Sequence, residues 1–227
     1  MSRLWTVFLG VPGCGKGTQA GFLVQNYGFS VVAVGDILRK NRDKVIASDG
    51  GTIGALMEGG NLLPDDIVVG CVRDELNGAH SGEYTRSIIF DGFPRTLGQA
   101  KALAGLLAEL GLKDGYVLNF VVDDEVITKR ILGRYSCGKC GRIYNDFFLR
   151  PRVEGVCDVC GHGEFDRRCD DNDVSLKKRL AEYREKTEVL VGYYQDLGIL
   201  SNIDAAASFD NVSAEVMNVL GLSKKER

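Results

Sequence analysis

Nothing in this chain restricts its fold more than Gly10-Val11-Pro12-Gly13-Cys14-Gly15-Lys16-Gly17-Thr18, which follows directly on the apolar run Leu4–Leu9. The run is short and partly β-branched or aromatic, as a buried strand should be. Its glycines admit positive φ and close backbone approach, and a helical pattern begins behind Lys16. A strand, loop and helix in that order gather successive backbone N–H groups around an anion at a helix N-terminus, and a lysine adds a full charge for phosphate oxygens. Gly13, Cys14, Gly15, Lys16, Gly17 and Thr18 are the candidate phosphate ligands. The generic pattern has Ser or Thr immediately after the lysine, whereas Gly17 intervenes here and points to a subgroup. The competing reading is a glycine turn that merely packs helix on strand. A guanine-specific reading finds no Asn-Lys-x-Asp segment. Cys14 is a small loop residue whose thiol a helix N-terminus can acidify.

Further short apolar runs lie at Ser30–Val34, Ser87–Phe90, Tyr116–Val122 and Ile199–Ile203. Between them Gln19–Asn26, Ile67–Leu76, Leu97–Leu110, Asp124–Leu132 and Val174–Leu197 carry apolar residues at three- and four-residue spacing, the helical period. Strand and helix alternate, which predicts an α/β chain with a doubly wound, parallel, five-stranded sheet of the P-loop NTPase kind. Two stretches break the rhythm: a glycine-rich, strand-poor one from about Asp36 to Pro64, and one from Tyr135 to Asp171 that holds paired cysteines. Both read as excursions from one compact unit.

Composition excludes several classes. With 44% hydrophobic and 26% charged residues the chain can bury a core, so global disorder is excluded. A net charge of −3 argues against a nucleic-acid binder acting by bulk charge, so any anionic ligand must be met by locally placed cations. No apolar run approaches the roughly 18 residues of a membrane span, and the N-terminal run, followed at once by the loop, reads as a strand rather than a signal peptide.

Ser87-Ile88-Ile89-Phe90-Asp91-Gly92-Phe93-Pro94-Arg95 is an apolar strand ending in a carboxylate. Beside a phosphate loop, Asp91 can order Mg²⁺ and its waters; alone it would read as a turn cap. Arg95 follows the stiff Phe-Pro pair at the same sheet edge, placed for bidentate phosphate contact.

Cys137-x2-Cys140, then 16 residues, then Cys157-x2-Cys160 has the spacing of a four-thiolate zinc ribbon. Two disulfides are the other reading, disfavoured in a reducing cytoplasm. Four protein ligands leave no open position, so the metal is expected to be structural, with zinc favoured and iron able to use the same thiolates. His162 reads as a loop histidine rather than a fifth ligand, Cys71 as a buried small residue, Cys169 as a hinge residue and His80 as a surface group. Asp170 and Asp171 read as anchors that pair with arginines.

Taken together, GVPGCGKGTQ, the segment Val34–Arg39, DGFPRT with Gln99, Ile131–Arg134 and Arg167–Asn172 resemble the adenylate kinases and the wider nucleoside monophosphate kinase family over nearly the whole chain. The resemblance implies a core of residues 1–33, 64–133 and 172–227, a monophosphate-binding lobe at 34–63 and a zinc-bearing lid at 134–171. It implies that Val34, Gly35, Arg39, Asn61, Leu62, Leu63, Gly92, Arg95, Gln99, Arg168 and Arg179 serve AMP. The same resemblance gives Arg130, Arg134, Ile143, Tyr144 and Ala207 to ATP, beside the loop residues. Tyr144 reads equally well as lid packing. Lys16, Asp91, Arg95, Arg134, Arg168 and Arg179 form the implied catalytic set. The activity implied is reversible phosphoryl transfer from Mg-ATP to AMP, with ATP, AMP and ADP as partners, no nucleic acid or membrane, and a monomeric cytoplasmic chain. GTP:AMP and UMP/CMP kinases are the neighbouring alternatives. A zinc-ribbon binding module on an inactive scaffold is a further one, which the acidic Asp158, Glu164 and Asp166 oppose. Two departures stand out: Val34 where the family commonly has Thr, and Asp204-Ala205-Ala206-Ala207 where a glycine-bearing loop is usual.

Overall fold

The computed structural model describes residues 3–46, 51–58, 63–78, 86–168 and 171–223. Strands β1 (Trp5–Leu9), β2 (Ser30–Ala33), β3 (Ile88–Asp91) and β4 (Gly115–Val121) pair in parallel. A later strand, Leu200–Asp204, joins β4 in parallel to complete the spatial order β2, β3, β1, β4 and then that strand. This is the expected five-stranded doubly wound sheet.

Side-chain alternation explains why both faces are covered. Val7, Leu9, Ile88, Phe90 and Val117 enter one core cluster, while Phe8, Ile89, Leu118 and Phe120 enter the other. Successive strand residues point to opposite faces, so strands this apolar must be packed by helices on both sides. Against the first face lie α2 (Val34–Lys40), α3 (Ile53–Glu58), α4 (Asp65–Gly78) and α5 (Leu97–Glu109). Against the second lie α1 (Lys16–Tyr27), α6 (Asp124–Leu132) and α7 (Asp173–Glu182).

Register fixes the working edge. Phe8 stands opposite Asp91, and Ala33 stands opposite Asp91 on the other side. The loop after β1, the carboxylate ending β3 and the helix after β2 therefore leave the sheet at one level, the carboxyl edge where open parallel sheets bind ligands.

Several expectations need correction. Val34 is the first residue of α2 and not the last of β2, because the pairing with β3 ends at Ala33 opposite Asp91. The 36–64 excursion carries α2 and α3. The helix expected over 174–197 is interrupted: a π-helical segment, Tyr183–Thr187, separates α7 from α8 (Val189–Asp196). The cysteine excursion holds an antiparallel sheet of β5 (Arg134–Cys137), β6 (Ile143–Asn145) and β7 (Phe165–Asp166), ordered β6, β5, β7. With these, the core strand Leu200–Asp204 is β8, and α9 (Phe209–Val219), absent from the sequence reading, closes the second face with Val212 and Val216. None of the helices among the described residues is long and apolar enough to cross a membrane.

Candidate active site

The phosphate loop is built from backbone constraints. Gly10 and Gly13 have φ of 135° and 81°. A Cβ on Gly10 would stand 2.7 Å from the Phe120 carbonyl oxygen, and one on Gly13 would stand 2.6 Å from Ile131 Cγ1. Neither position admits a side chain. Gly15 precedes α1 in a left-handed conformation, and no side chain caps that helix end, which leaves the helix N-terminus open to an anion. Lys16 arches over the loop, its Nζ donating to the carbonyls of Gly10 at 2.7 Å and Val11 at 3.0 Å, and lies 3.4 Å from Cys14 Sγ. Gly17 and Thr18 are exposed beside it. Arg130 Nη1 on α6 donates to the Cys14 carbonyl at 3.3 Å, and burial lowers its pKa with partial relief from Cys14.

Asp91 Oδ2 lies 3.7 Å from where a Gly17 Cβ would be, which sets the carboxylate against the start of α1. The turn after it is cross-tied. Arg95 Nε donates to the Gly92 carbonyl at 2.9 Å, and the Arg95 N–H donates to Gln99 Oε1 at 2.8 Å. Thr96 caps α5 by accepting from the Gln99 N–H at 3.1 Å. The Gln99 Nε2 donates to Asp65 Oδ1 at 2.8 Å, and Thr96 Oγ1 donates to Asp65 Oδ2 at 2.7 Å. Gln99 is 1% exposed; both ends of its amide hold the turn. Asp65 was not anticipated, and its only sequence trace is an acid in the first turn of α4.

Arginines from distant segments converge. Arg134 makes two bonds to Asp171, Nε to Oδ2 at 2.8 Å and Nη2 to Oδ1 at 2.5 Å, and Arg179 Nη1 lies 3.8 Å from the same carboxylate. Asp171 is thus the arginine anchor expected of it. Arg39 pairs with Asp36 at 2.5 Å and crowds the face of Gly35. The Arg168 pKa is lowered by burial and further by Arg134 and Arg39, against the pull of Asp36 and Asp171. Arg95 is lowered by desolvation and by Arg39, while Asp91 and Glu182 act the other way. Cations from α2, the β3 edge, β5 and the segment before α7 feel one another. A cleft of about 450 Å³ runs between α1 and the cysteine-bearing excursion, lined among others by Gly17, Asp36, Asp91, Arg134, Ile143 and Arg168.

Not every candidate lies in that cleft. Leu63 is buried in the first core cluster, and Ala207 packs against the second. Val34 is 2% exposed. Tyr144 is fully buried, stacked on Tyr135 at 5.8 Å, its hydroxyl donating to Cys157 Sγ at 3.5 Å and accepting from the Asp158 N–H at 2.8 Å. Its side chain therefore packs inside the cysteine-bearing excursion. Asn61, Leu62, His80, Cys169 and Asp170 lie outside the described residues.

The cysteines form two matching knuckles. The Cys137 and Cys157 N–H groups donate to the carbonyls of Arg142 and His162, and Gly141 and Gly161 donate back to the carbonyls of Cys137 and Cys157, all at 2.9 Å. The four sulfurs lie within 4.8 Å of one another, with Cys137–Cys160 at 3.5 Å and Cys140–Cys157 at 3.6 Å. Tetrahedral zinc with bonds of about 2.3 Å requires sulfur separations of about 3.8 Å, so the set fits such an ion. His162 turns to Glu164 at 3.6 Å.

The sequence pattern of the adenylate kinase family matches residues 8–199. The chain belongs to the adenylate kinases. It is 42% identical to the adenylate kinase of Paracoccus denitrificans over 94% of this chain and 95% of that protein. It is likewise 42% identical to that of Novosphingobium aromaticivorans, over 94% and 97%. In this chain the thiolate cluster runs from Cys137, the last residue of β5, to Cys160, ahead of β7.

Proposed function

We propose that the chain transfers the γ-phosphoryl group of Mg-ATP reversibly to AMP, giving two ADP. The observation that carries this reading is the convergence of Arg39, Arg95, Arg134 and Arg168 on the carboxyl edge that also holds the phosphate loop. A single nucleotide would not need cations from both sides; two phosphate chains meeting head to head do. In the forward direction an oxygen of the AMP phosphate attacks the γ-phosphorus, and the bond to the ADP oxygen breaks. Such transfers need positioning and charge neutralisation far more than proton chemistry.

The roles are those of the family resemblance, with the positions of the loop and the arginines in support. Gly13 to Thr18 cradle the donor phosphates, with Lys16 and Arg130 on either side of the loop. Arg134 and Arg179, held by Asp171, face the transferring group with Arg168. Arg39 and Arg95 take the acceptor phosphate, and Ile143 and Ala207 flank the donor nucleoside. Gly35, Leu63, Gly92 and Gln99 shape the acceptor side, joined on family resemblance by Val34, Asn61 and Leu62. Asp91 is the residue to hold Mg²⁺ through its waters, and that ion supplies charge neutralisation at donor oxygens. Cys137, Cys140, Cys157 and Cys160 hold structural Zn²⁺.

The division into core (1–33, 64–133, 172–227), acceptor lobe (34–63) and lid (134–171) is supported by α2 opening at Val34, β5 at Arg134 and the Asn172 cap of α7, whose side chain accepts from the Ser175 N–H. Every group named comes from one chain, so a monomer suffices, and thiolates poised for metal suit a reducing cytoplasm. The test is diphosphate formation from ATP or GTP against AMP, UMP, CMP and GMP. Fastest turnover with ATP and AMP is expected; a preference for GTP or a pyrimidine acceptor would reassign the enzyme within the family.

A further inference from the structure

For five residues the chain leaves the α-helical path. Across Tyr183–Thr187 the Glu188 N–H donates to the Tyr183 carbonyl at 2.9 Å, one residue farther back than an α-helix allows. Such π segments have poorer geometry than the helix they interrupt and recur at functional sites. The extra residue turns everything after it by about 100° relative to an unbroken helix. Before it, α7 presents Arg179 to Asp171; after it, α8 buries Leu190 and Tyr194 in the first core cluster.

The segment grips the site from both sides. Thr187 is 5% exposed, and its Oγ1 donates to the Arg95 carbonyl at 2.9 Å across 92 residues of sequence. The Arg95 N–H is held by Gln99, so side chains from two other elements clamp both backbone groups of Arg95. On the opposite side Arg184 pairs with Asp124 in the first turn of α6, the helix whose Arg130 holds the Cys14 carbonyl.

We propose that the Tyr183–Thr187 π segment sets the spacing between the Arg95 turn and the phosphate loop, with Thr187 as the positioning residue. This rests on the phosphoryl-transfer reading above. A π register is what lets one helix serve the lid anchor at Arg179 and the Arg95 carbonyl at Thr187. Transfer requires in-line geometry, and misplacement by about 1 Å costs on the order of 10²-fold. Loss of the Thr187 hydroxyl therefore acts on turnover before it acts on donor binding.

The experiment compares wild type, Thr187→Val and Thr187→Ser for kcat, for KM of ATP and AMP in ADP formation, and for thermal unfolding. Thr187→Val keeps the shape and removes the hydroxyl. It is expected to lower kcat about tenfold or more with KM for ATP within about twofold, and Thr187→Ser to recover kcat to within about threefold of wild type. A Thr187→Val enzyme within threefold of wild-type kcat, or a Ser variant as slow as the Val variant, overturns the proposal. Should Thr187→Val not fold, the exposed Arg184→Ala variant carries the test: about threefold slower turnover supports the brace, and unchanged turnover overturns it. Wild type that forms no ADP from ATP and AMP would overturn the phosphoryl-transfer reading instead.

Discussion

At the scale of single residues, Arg95 and Asp171 do different jobs. The Arg95 backbone is fixed at both ends, while its guanidinium lies near Asp91 and Arg39, the side proposed for the acceptor phosphate. Arg95→Ala should therefore lower kcat on the order of 10³-fold while calorimetric ATP affinity stays within about threefold. Unchanged turnover in a coupled assay would remove the residue from the mechanism. Asp171 has a side chain only 3% exposed and meets both Arg134 and Arg179. Deleting it removes the carboxylate that two part-buried guanidinium groups share. Asp171→Ala should cost about 3 kcal/mol in urea unfolding, with Asp171→Asn, which keeps one acceptor oxygen, losing less; equal midpoints for Ala and wild type would contradict the anchor. Residues with local signatures were legible from sequence: a glycine loop, an acid at a strand end, an arginine after Phe-Pro. Thr187 and Asp65 were not, because each acts on a partner far away in sequence and carries no local pattern.

At the scale of elements, the lid illustrates stability without a core. Its buried cluster is Cys137, Tyr144 and Cys157, with Tyr135, Cys160 and Phe165 packed around it. Its strands of 4, 3 and 2 residues are too short to bury much area or to show a period in sequence. With the proposed zinc bound, metal binding would be the main source of folding free energy for this small unit. Chelation should abolish a low-temperature lid transition in scanning calorimetry and leave the core transition in place; a scan unchanged after verified metal removal would refute this. The cysteine spacing announced the site because metal geometry constrains sequence tightly, while the surrounding sheet left no trace. The π segment was silent for another reason: Leu176, Leu180, Tyr183, Thr187, Leu190 and Tyr194 keep three- and four-residue spacing straight through it. Periodicity reports which residues face inward and says nothing about an inserted turn residue. The buried strands were legible as continuous apolar runs, and Val212, Val216 and Leu220 keep helical spacing through α9 and just beyond it.

At the scale of the whole molecule, the arginines sit on separate elements around one sheet edge. Arg39 rides on α2, Arg134 opens β5, and Arg168 lies just ahead of α7. Burial, and after it the neighbouring Arg134 and Arg39, lower the Arg168 pKa, so bringing these like charges closer costs energy that anionic nucleotides in the cleft beside α1 would offset. Substrate charge would thus draw the parts together, and in the proposed transfer that closure would keep water from accepting the phosphoryl group. Where reopening against that attraction is as slow as transfer or slower, it contributes to the turnover rate alongside the chemical step. The expected consequence is a kcat that falls in proportion to solvent viscosity, with a slope near 1 in plots of relative kcat against relative viscosity in glycerol or sucrose, while the kcat of a variant slowed chemically, such as Arg95→Ala, becomes insensitive. A wild-type slope near zero would mean that chemistry, and not the motion of the lid, limits turnover.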